Sequence, residues 1–588
     1  MNINDVRGKE LSILAIGAHK PILQSMLDFD FLAGKSNPSV VGVVTAGTKF
    51  IKLFWGQKEI LVPCFVDCKQ AAQNLDGVDL MFNANSGRRC YYSTREFFEA
   101  FPDAIGGHTF AEDTPEKFAL DLIKLYQDKG KLLIGPAGVG MLIGGHLKLG
   151  AIGGTDFRQI QQNHLATTGN VAVLSASGGM VNEIITIVNN AEKRVSFAVC
   201  FGGDRFPYTD PAEAFMLAEA DDKTELIIYY GELGGQDEYK IVELIKEGKI
   251  TKPIIAYIAG RIGETFDQPV QFGHAKALAR LNSETASAKQ ASLKEAGVEV
   301  ADSVAEFVSL IEKAKVDTVE DSSADVDLDN RKASLFSTTI GKETESGYEF
   351  VGKNLTDWAK DGNFTKQIVS GLMGREPRSD LTVELANLIF MLSIDHGPNV
   401  SGAVNTIVTA RAGKGLVDSL ATGLLTVGPR FGGAVSGAAK VWFDSVQSQG
   451  NAKDIVEDYA SRKEYIPGIG HKKYRLGLPD PRTSVLAEFV DKLPAHPHYD
   501  FAKSVEEITT AKKGNLILNV DGHIAAILLD VLTTEENMSE GELSALIDAD
   551  FFNAFFVIPR SIGFISHYLD QKRLDEGLFR LPDDLVSS

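Results

Sequence analysis

Asn170–Val188 reads NVAVLSASGGMVNEIITIV. An unbroken apolar run, rich in valine, stops at Ser177-Gly178-Gly179 and gives way to apolar residues at helical spacing. That is the pattern of a buried parallel strand turning into a helix. Glycines at such a turn expose backbone N–H groups at a helix start, where the dipole also favours an anion. Ser177, Gly178 and Gly179 are therefore a candidate phosphate cradle. The same residues also suit an ordinary βα turn, since two glycines alone specify little.

The alternation extends in both directions. From Leu11 to about Gly150 strand-like runs (LSILAIG, SVVGVVTAG, VDLMFNAN, KLLIGPAG) alternate with helical ones near PILQSMLDFDFLAG, CKQAAQNL, TREFFEAF and PEKFALDLIKLYQDKG. From Thr155 to Val316 the strands are NVAVL, VSFAVCF, TELIIYY and KPIIAYIA, and DPAEAFMLAEA opens a helix with Asp210 as cap and Pro211 at its first position. This rhythm predicts two doubly wound α/β domains, over residues 1–154 and 155–316, with ligands at the carboxyl ends of strands. The loop Gly17-Ala18-His19-Lys20 is short of GxGxxG, so a dinucleotide site is not expected. VDTVEDSSADVDLDNR, Val316 to Arg331, is acidic and serine-bearing with few large apolar groups, and residues 317–331 read as a linker. From 332 to 588 the pattern is helical: LTVELANLIFMLSIDHG and SGAVNTIVTARAGKGLVDSLATGLLTVG space apolar residues by three and four, interleaved with Gly and Ala.

The chain's 588 residues exceed what one core supports. A formal net charge of −20 without a basic run argues against nucleic acid as a partner, so an anionic substrate must be met by local cations. Cys64, Cys68, Cys90 and Cys200 form neither a zinc pattern nor a disulfide framework, which fits a reducing cytoplasm, and no metal ligand set is read. No signal peptide and no membrane span are expected.

Two sets of residues look chemical. In QPVQFGHAKALA (Gln268–Ala279), His274 is a candidate phosphoryl acceptor, with Gly273 leaving room for a tetrahedral phosphate. Glu232, in IIYYGELGGQDEYKIV (Ile227–Val242), ends a strand where a carboxylate could orient an imidazole and hold its tautomer. In the helical part His396 (in DHGP), His471 (in GIGH) and Asp521 (in NVDG) are the kit of a carbon–carbon bond site with a thioester enolate intermediate. One histidine donates to the enolate oxygen, the other handles the hydroxyl or ketone oxygen, and the carboxylate moves the carbon proton.

With GPAGVGMLIGGHLKLG (Gly135–Gly150) and FGGDRFPYTDP (Phe201–Pro211), the first set resembles the α subunit of succinyl-CoA synthetase and, more closely, the matching half of the ATP-citrate lyases. DHGPNVSG, GPRFGGA, PGIGHKK, NVDGH and RSIGFISHYLDQKR resemble the citrate-synthase-like domain of the same family. The resemblance covers almost the whole chain. It implies a Rossmann-like coenzyme A domain, a flavodoxin-like phosphohistidine domain and a mainly helical lyase domain: α/β followed by all-α. It further implies phosphorylation of His274 beside Glu232, enolate stabilisation by His396, the citryl hydroxyl at His471 and proton transfer by Asp521. Arg482 and Arg560 match the family's carboxylate-holding arginines. Lys20, Lys49, Lys512, Lys513, Lys572 and Arg573 are candidate coenzyme A contacts or, equally, solvated charges.

Two departures stand out. Lys472 follows His471 where the family usually has arginine, replacing a bidentate clamp with a point charge. Val404 stands where the family usually has histidine, and carries no role here. No ATP-grasp or Walker sequence occurs. MgATP is therefore expected on an ATP-grasp, β-like partner subunit, with self-association through the helical domain. The alternatives are a ligase and lyase for another di- or tricarboxylic acid, and a coenzyme A-binding scaffold.

Overall fold

The computed structural model describes residues 3–321, 326–344, 347–428 and 433–587, in two compact units, 1–335 and 336–588. Unit one holds two seven-stranded sheets among the described residues. The first contains β1 (Ile13–Ile16), β2 (Val40–Val44), β3 (Phe50–Trp55), β4 (Lys58–Phe65), β5 (Leu80–Asn83), β6 (Gly106–Thr109) and β7 (Leu132–Ile134) in the order β3-β4-β2-β1-β5-β6-β7. All pairs are parallel except β3–β4. Without β3 this is the dinucleotide-fold order, reversing between β2-β1 and β5. The β3–β4 hairpin is an edge addition that the helix-strand alternation did not reveal.

The second sheet contains β8 (Gly140–Ile143), β9 (Leu147–Gly150), β10 (Val171–Ser175), β11 (Val195–Cys200), β12 (Leu226–Glu232), β13 (Ile254–Ala259) and β14 (Glu299–Val300), ordered β14-β13-β12-β10-β11-β8-β9. Its parallel part, β11-β10-β12-β13-β14, has the flavodoxin order and reverses between β10 and β12. Every residue of β10 is buried, which explains why its sequence is apolar up to its last residue, Ser175.

Two expectations are corrected. The chain enters the second sheet at Gly140, earlier than a boundary after residue 154, because β8 pairs antiparallel with β11 and carries β9 with it. The acidic stretch, apart from Ser322–Asp325, which lie outside the described residues, packs along unit one. Leu328 is buried, Gln161 donates to the Val326 carbonyl at 3.0 Å, Asn170 donates to Asp317 O at 2.8 Å, and Arg331 pairs with the buried Asp28 while donating to Gly56 O at 3.0 Å. Low hydrophobicity suggested a free linker; specific polar contacts hold it instead.

Unit two is mainly helical, with a small antiparallel sheet of Gly341–Thr344, Gly347–Phe350 and Lys353–Asn354. Its core lies around the almost wholly buried helix Val520–Thr534, packed by Trp442, Leu486 and Phe552.

Asp28 is buried and Arg331 is its counter-ion, with the carboxyl already pushed above its ordinary range by burial. Arg331→Ala is expected to cost unit one about 3 kcal/mol by stranding that carboxylate, seen as a lower denaturant midpoint.

Candidate functional site

Where strand order reverses, the loops after β10 and β12 separate and leave a crevice at the carboxyl ends. Ser177 caps the helix Gly178–Asn190, its hydroxyl accepting from Met180 N–H at 3.4 Å, and the Cβ position of Gly179 faces open space. These residues can hold an anion at a helix start. Across the crevice Glu232 ends β12, and its Oε2 lies 2.9 Å from Nδ1 of His274. The carboxylate thus accepts the Nδ1 proton and leaves Nε2 as the free nitrogen. That hydrogen bond, against burial, holds the imidazole above its ordinary pKa, with Glu232, Glu112 and Asp204 adding to the effect through space.

Gly273 has φ +63°, a left-handed turn that favours glycine, and nothing lies near its Cβ position. The glycine against the imidazole is Gly203, where a Cβ would lie 2.4 Å from His274 Cγ. Lys276, two residues on, is mostly buried and paired with Asp237, and its pKa falls to about 8 through burial and the neighbouring Lys289.

In unit two a second set converges. The GIGH turn runs beside residues 515–519: Gly470 N–H donates to Ile517 O at 2.7 Å, and Asn519 donates through its amide to Gly470 O at 3.0 Å. Asn519 also caps the helix that begins at Val520, and a Cβ on Gly522 would fall 2.5 Å from Gly468 O. Turn and helix start, which carry His471 and Asp521, are therefore in backbone contact. His471 Nδ1 accepts from the backbone N–H groups of Lys473 and Tyr474, each at 3.0 Å, so the neutral ring carries its proton on Nε2. His396, between helices Asp380–Ser393 and Ser401–Arg411, lies 6.3 Å from His471 between ring centroids.

Burial lowers both histidines below their ordinary pKa, with Arg482 acting in the same direction, so each is a neutral N–H donor at neutral pH. Burial raises Asp521 to about 6 against the pull of Arg482 and Arg560, and its Oδ1 has no partner. Arg560 is fully buried with Nε and Nη1 unpartnered. Arg482 is held by Asp480 at 2.7 Å. The cluster offers two neutral donors, a buried carboxyl and two guanidinium groups: the elements for holding a carboxylate and moving a carbon-bound proton.

A known family of citrate synthase C-terminal domains matches residues 275–581, and the CoA-ligase family matches 174–299. ATP-citrate synthase subunit 1 of Sordaria macrospora is 37% identical over 97% of this chain and 88% of its own length. The chain belongs to the ATP-citrate synthase family. Human ATP-citrate synthase is 38% identical over 97% of this chain, which spans 54% of that protein. Among solved structures, ATP citrate lyase from Methanothrix soehngenii in complex with citrate and coenzyme A is 33% identical with a TM-score of 0.52, covering 98% of this chain and 97% of the other. An ATP-citrate synthase thus joins two α/β sheets of the CoA-ligase type to a mainly helical citrate-synthase-like unit.

Within this ATP-citrate synthase homologue, the remaining candidates are scattered. Lys20 is the first residue of helix Lys20–Leu32, contrary to its expected loop position, and Lys49 precedes β3; both are exposed. Lys512 and Lys513 end the helix Pro497–Lys512 and are exposed. Lys572 and Arg573 lie in the last turn of Phe551–Leu574, with Lys572 over the Tyr568 ring and Arg573 paired with Asp570 at 3.0 Å. Lys472 is exposed beside His471, and Val404 is an exposed residue of Ser401–Arg411. Within GPRFGGA, residues 429–432 lie outside the described residues. Sequence reasoning missed Gly203, Lys276 and Asp480; of these, Asp480 carried a signal, an Asp-Pro pair at a helix start.

Asp521 binds its proton more tightly in the folded chain than in the unfolded one. The stability this lends is present below about pH 4 and is lost as pH rises through about 6. Asp521→Asn, neutral throughout, is expected to exceed the parent by about 3 kcal/mol in denaturant titrations above neutrality and to match it in acid.

Proposed function

We propose that this chain is the phosphohistidine and lyase subunit of a two-subunit ATP-citrate lyase. The reading rests on one observation above the rest: the Glu232–His274 hydrogen bond at 2.9 Å, which leaves Nε2 free. An ATP-grasp partner supplies MgATP, and Nε2 of His274 takes the γ-phosphoryl group. The imidazole becomes cationic as the N–P bond forms, and Glu232 stabilises that charge through Nδ1–H. Ser177, Gly178 and Gly179 hold the phosphate dianion. Transfer to citrate gives citryl phosphate, and the coenzyme A thiolate displaces phosphate to give citryl-CoA.

The helical unit then cleaves citryl-CoA. Arg482 and Arg560, with Lys472 at the rim, hold carboxylates. His471 donates from Nε2 to the oxygen of the citryl hydroxyl, whose proton passes to water as the carbon–carbon bond breaks and the ketone of oxaloacetate forms. His396 donates to the enolate oxygen, and Asp521, protonated near pH 6, delivers the proton to the terminal carbon of acetyl-CoA. Citrate, ATP and coenzyme A thus give acetyl-CoA, oxaloacetate, ADP and phosphate. Lys20, Lys49, Lys512, Lys513, Lys572 and Arg573 are candidate contacts for coenzyme A phosphates. Exposed Val417, Leu425 and Leu569 on the helical unit favour self-association, and a cytoplasmic location fits the free thiols. Lys472 favours one alternative, a different di- or tricarboxylate, which assays across a panel of acids with both subunits would identify.

With the partner subunit and γ-labelled ATP, His274 is expected to acquire an acid-labile, base-stable phosphate that His274→Ala lacks; labelling that survives the substitution overturns the relay. The chain alone is expected to cleave synthetic citryl-CoA, with Asp521→Ala lowering kcat about 10³-fold. An unchanged kcat removes Asp521 from the mechanism.

A further inference from the structure

Arg560 raises a question that the lyase scheme leaves open. Its guanidinium is buried with Nε and Nη1 lacking partners, a costly state, while the carboxylate of Asp395 stands 4.0 Å from Nη1 and does not close on it. The reason is on the same helix, Phe551–Leu574. Nε2 of His567 lies 3.1 Å from Asp395 Oδ1, and Gly397 N–H donates to Oδ2 at 3.0 Å, so both carboxylate oxygens are engaged elsewhere. Gly563 fixes the intervening turn: a Cβ there would lie 2.1 Å from the Ile394 carbonyl. Residues 560, 563 and 567 lie on one face of the helix, so guanidinium, backbone stop and imidazole address the same turn, the one that carries His396.

We infer that His567 is a positioning residue that restrains Asp395 from Arg560 and so keeps the guanidinium open for a substrate carboxylate. This rests on Arg560 as a carboxylate holder in the lyase reading. His567 need not touch substrate. Its hydrogen bond holds a competing anion at 4.0 Å, beyond hydrogen-bond contact with the guanidinium, and loss of that bond lets Asp395 turn inward and occupy the N–H groups. The predicted defect is in carboxylate binding, and the carboxylate of Asp395 is its cause.

The test uses the full chain and measures oxaloacetate affinity by calorimetry together with kcat and KM for citryl-CoA. His567→Ala is expected to weaken oxaloacetate binding and raise KM about tenfold while kcat stays within about threefold. The double variant His567→Ala/Asp395→Asn, in which the residue at 395 is uncharged, is expected to recover most of that affinity. A double variant as weak as His567→Ala, or a His567→Ala with parental affinity, overturns the inference. Should His567→Ala not fold, His567→Phe fills the same volume without a donor and is read in the same way. The parent in the same titration separates the two levels. If it binds no oxaloacetate and cleaves no citryl-CoA, the lyase reading fails and the inference with it; parental activity without rescue removes only the inference.

Discussion

Reversal of strand order between β10 and β12 is the constraint on which the ligase unit depends. Helices that follow neighbouring parallel strands on opposite sides of the reversal lie on opposite faces of the sheet, so nothing covers the strand ends between them. β10 delivers Ser177 and a helix start to one wall of that opening, and β12 delivers Glu232 to the other. Glu232 is placed by strand register, with Ile228 opposite Val173 and Tyr230 opposite Ser175, before any loop conformation is chosen. His274 arrives on a loop after β13 and is aligned by what is already fixed: the carboxylate of Glu232 and the bare backbone of Gly203.

The helical unit has no such opening and solves the same problem by bringing backbone against backbone. Gly468 and Gly522 lack side chains where the GIGH turn meets a helix start, and Asn519 fastens the two with its own amide while capping that helix. Asp521 then occupies the first turn of a helix whose body is the most buried in the unit. A carboxyl so placed is desolvated because its helix is, and its raised pKa follows from packing that serves the fold.

How far this was legible from sequence follows from the range of the forces involved. β10 and its Ser-Gly-Gly turn were readable because a buried parallel strand must be apolar throughout and a helix start needs a cap, and both are local demands. Glu232 and His274 lie 42 residues apart, and only the motifs in which they sit linked them. The β8–β9 hairpin fell on the wrong side of the boundary at residue 154 because its pairing with β11 is a tertiary choice that composition does not encode. The acidic stretch misled for a related reason: charge density predicts solvation, whereas Asp28 buried far away in sequence makes Arg331 an anchor. Gly273 and Gly203 look alike as letters; their roles, a left-handed turn and a close approach, appear only when φ and neighbours are known.

The same side chain is driven in opposite directions in the two units, and in each the direction suits the role proposed for it. His274 meets a carboxylate at hydrogen-bond distance with Asp204 and Glu112 nearby, a negative surrounding that favours positive charge on the ring. An imidazole accepting a phosphoryl group becomes cationic as the bond forms, so that field stabilises the charge created and then holds the Nδ1 proton in place. His396 and His471 meet burial and guanidinium groups, which disfavour the cation. For them a proton held weakly is useful. A neutral N–H can donate to an oxygen that becomes negative without surrendering the proton, and it does not compete with the guanidinium of Arg560 for a carboxylate. Three histidines of equal intrinsic basicity thus differ in the charge state that hydrogen bonding and burial favour, as the roles proposed for them require.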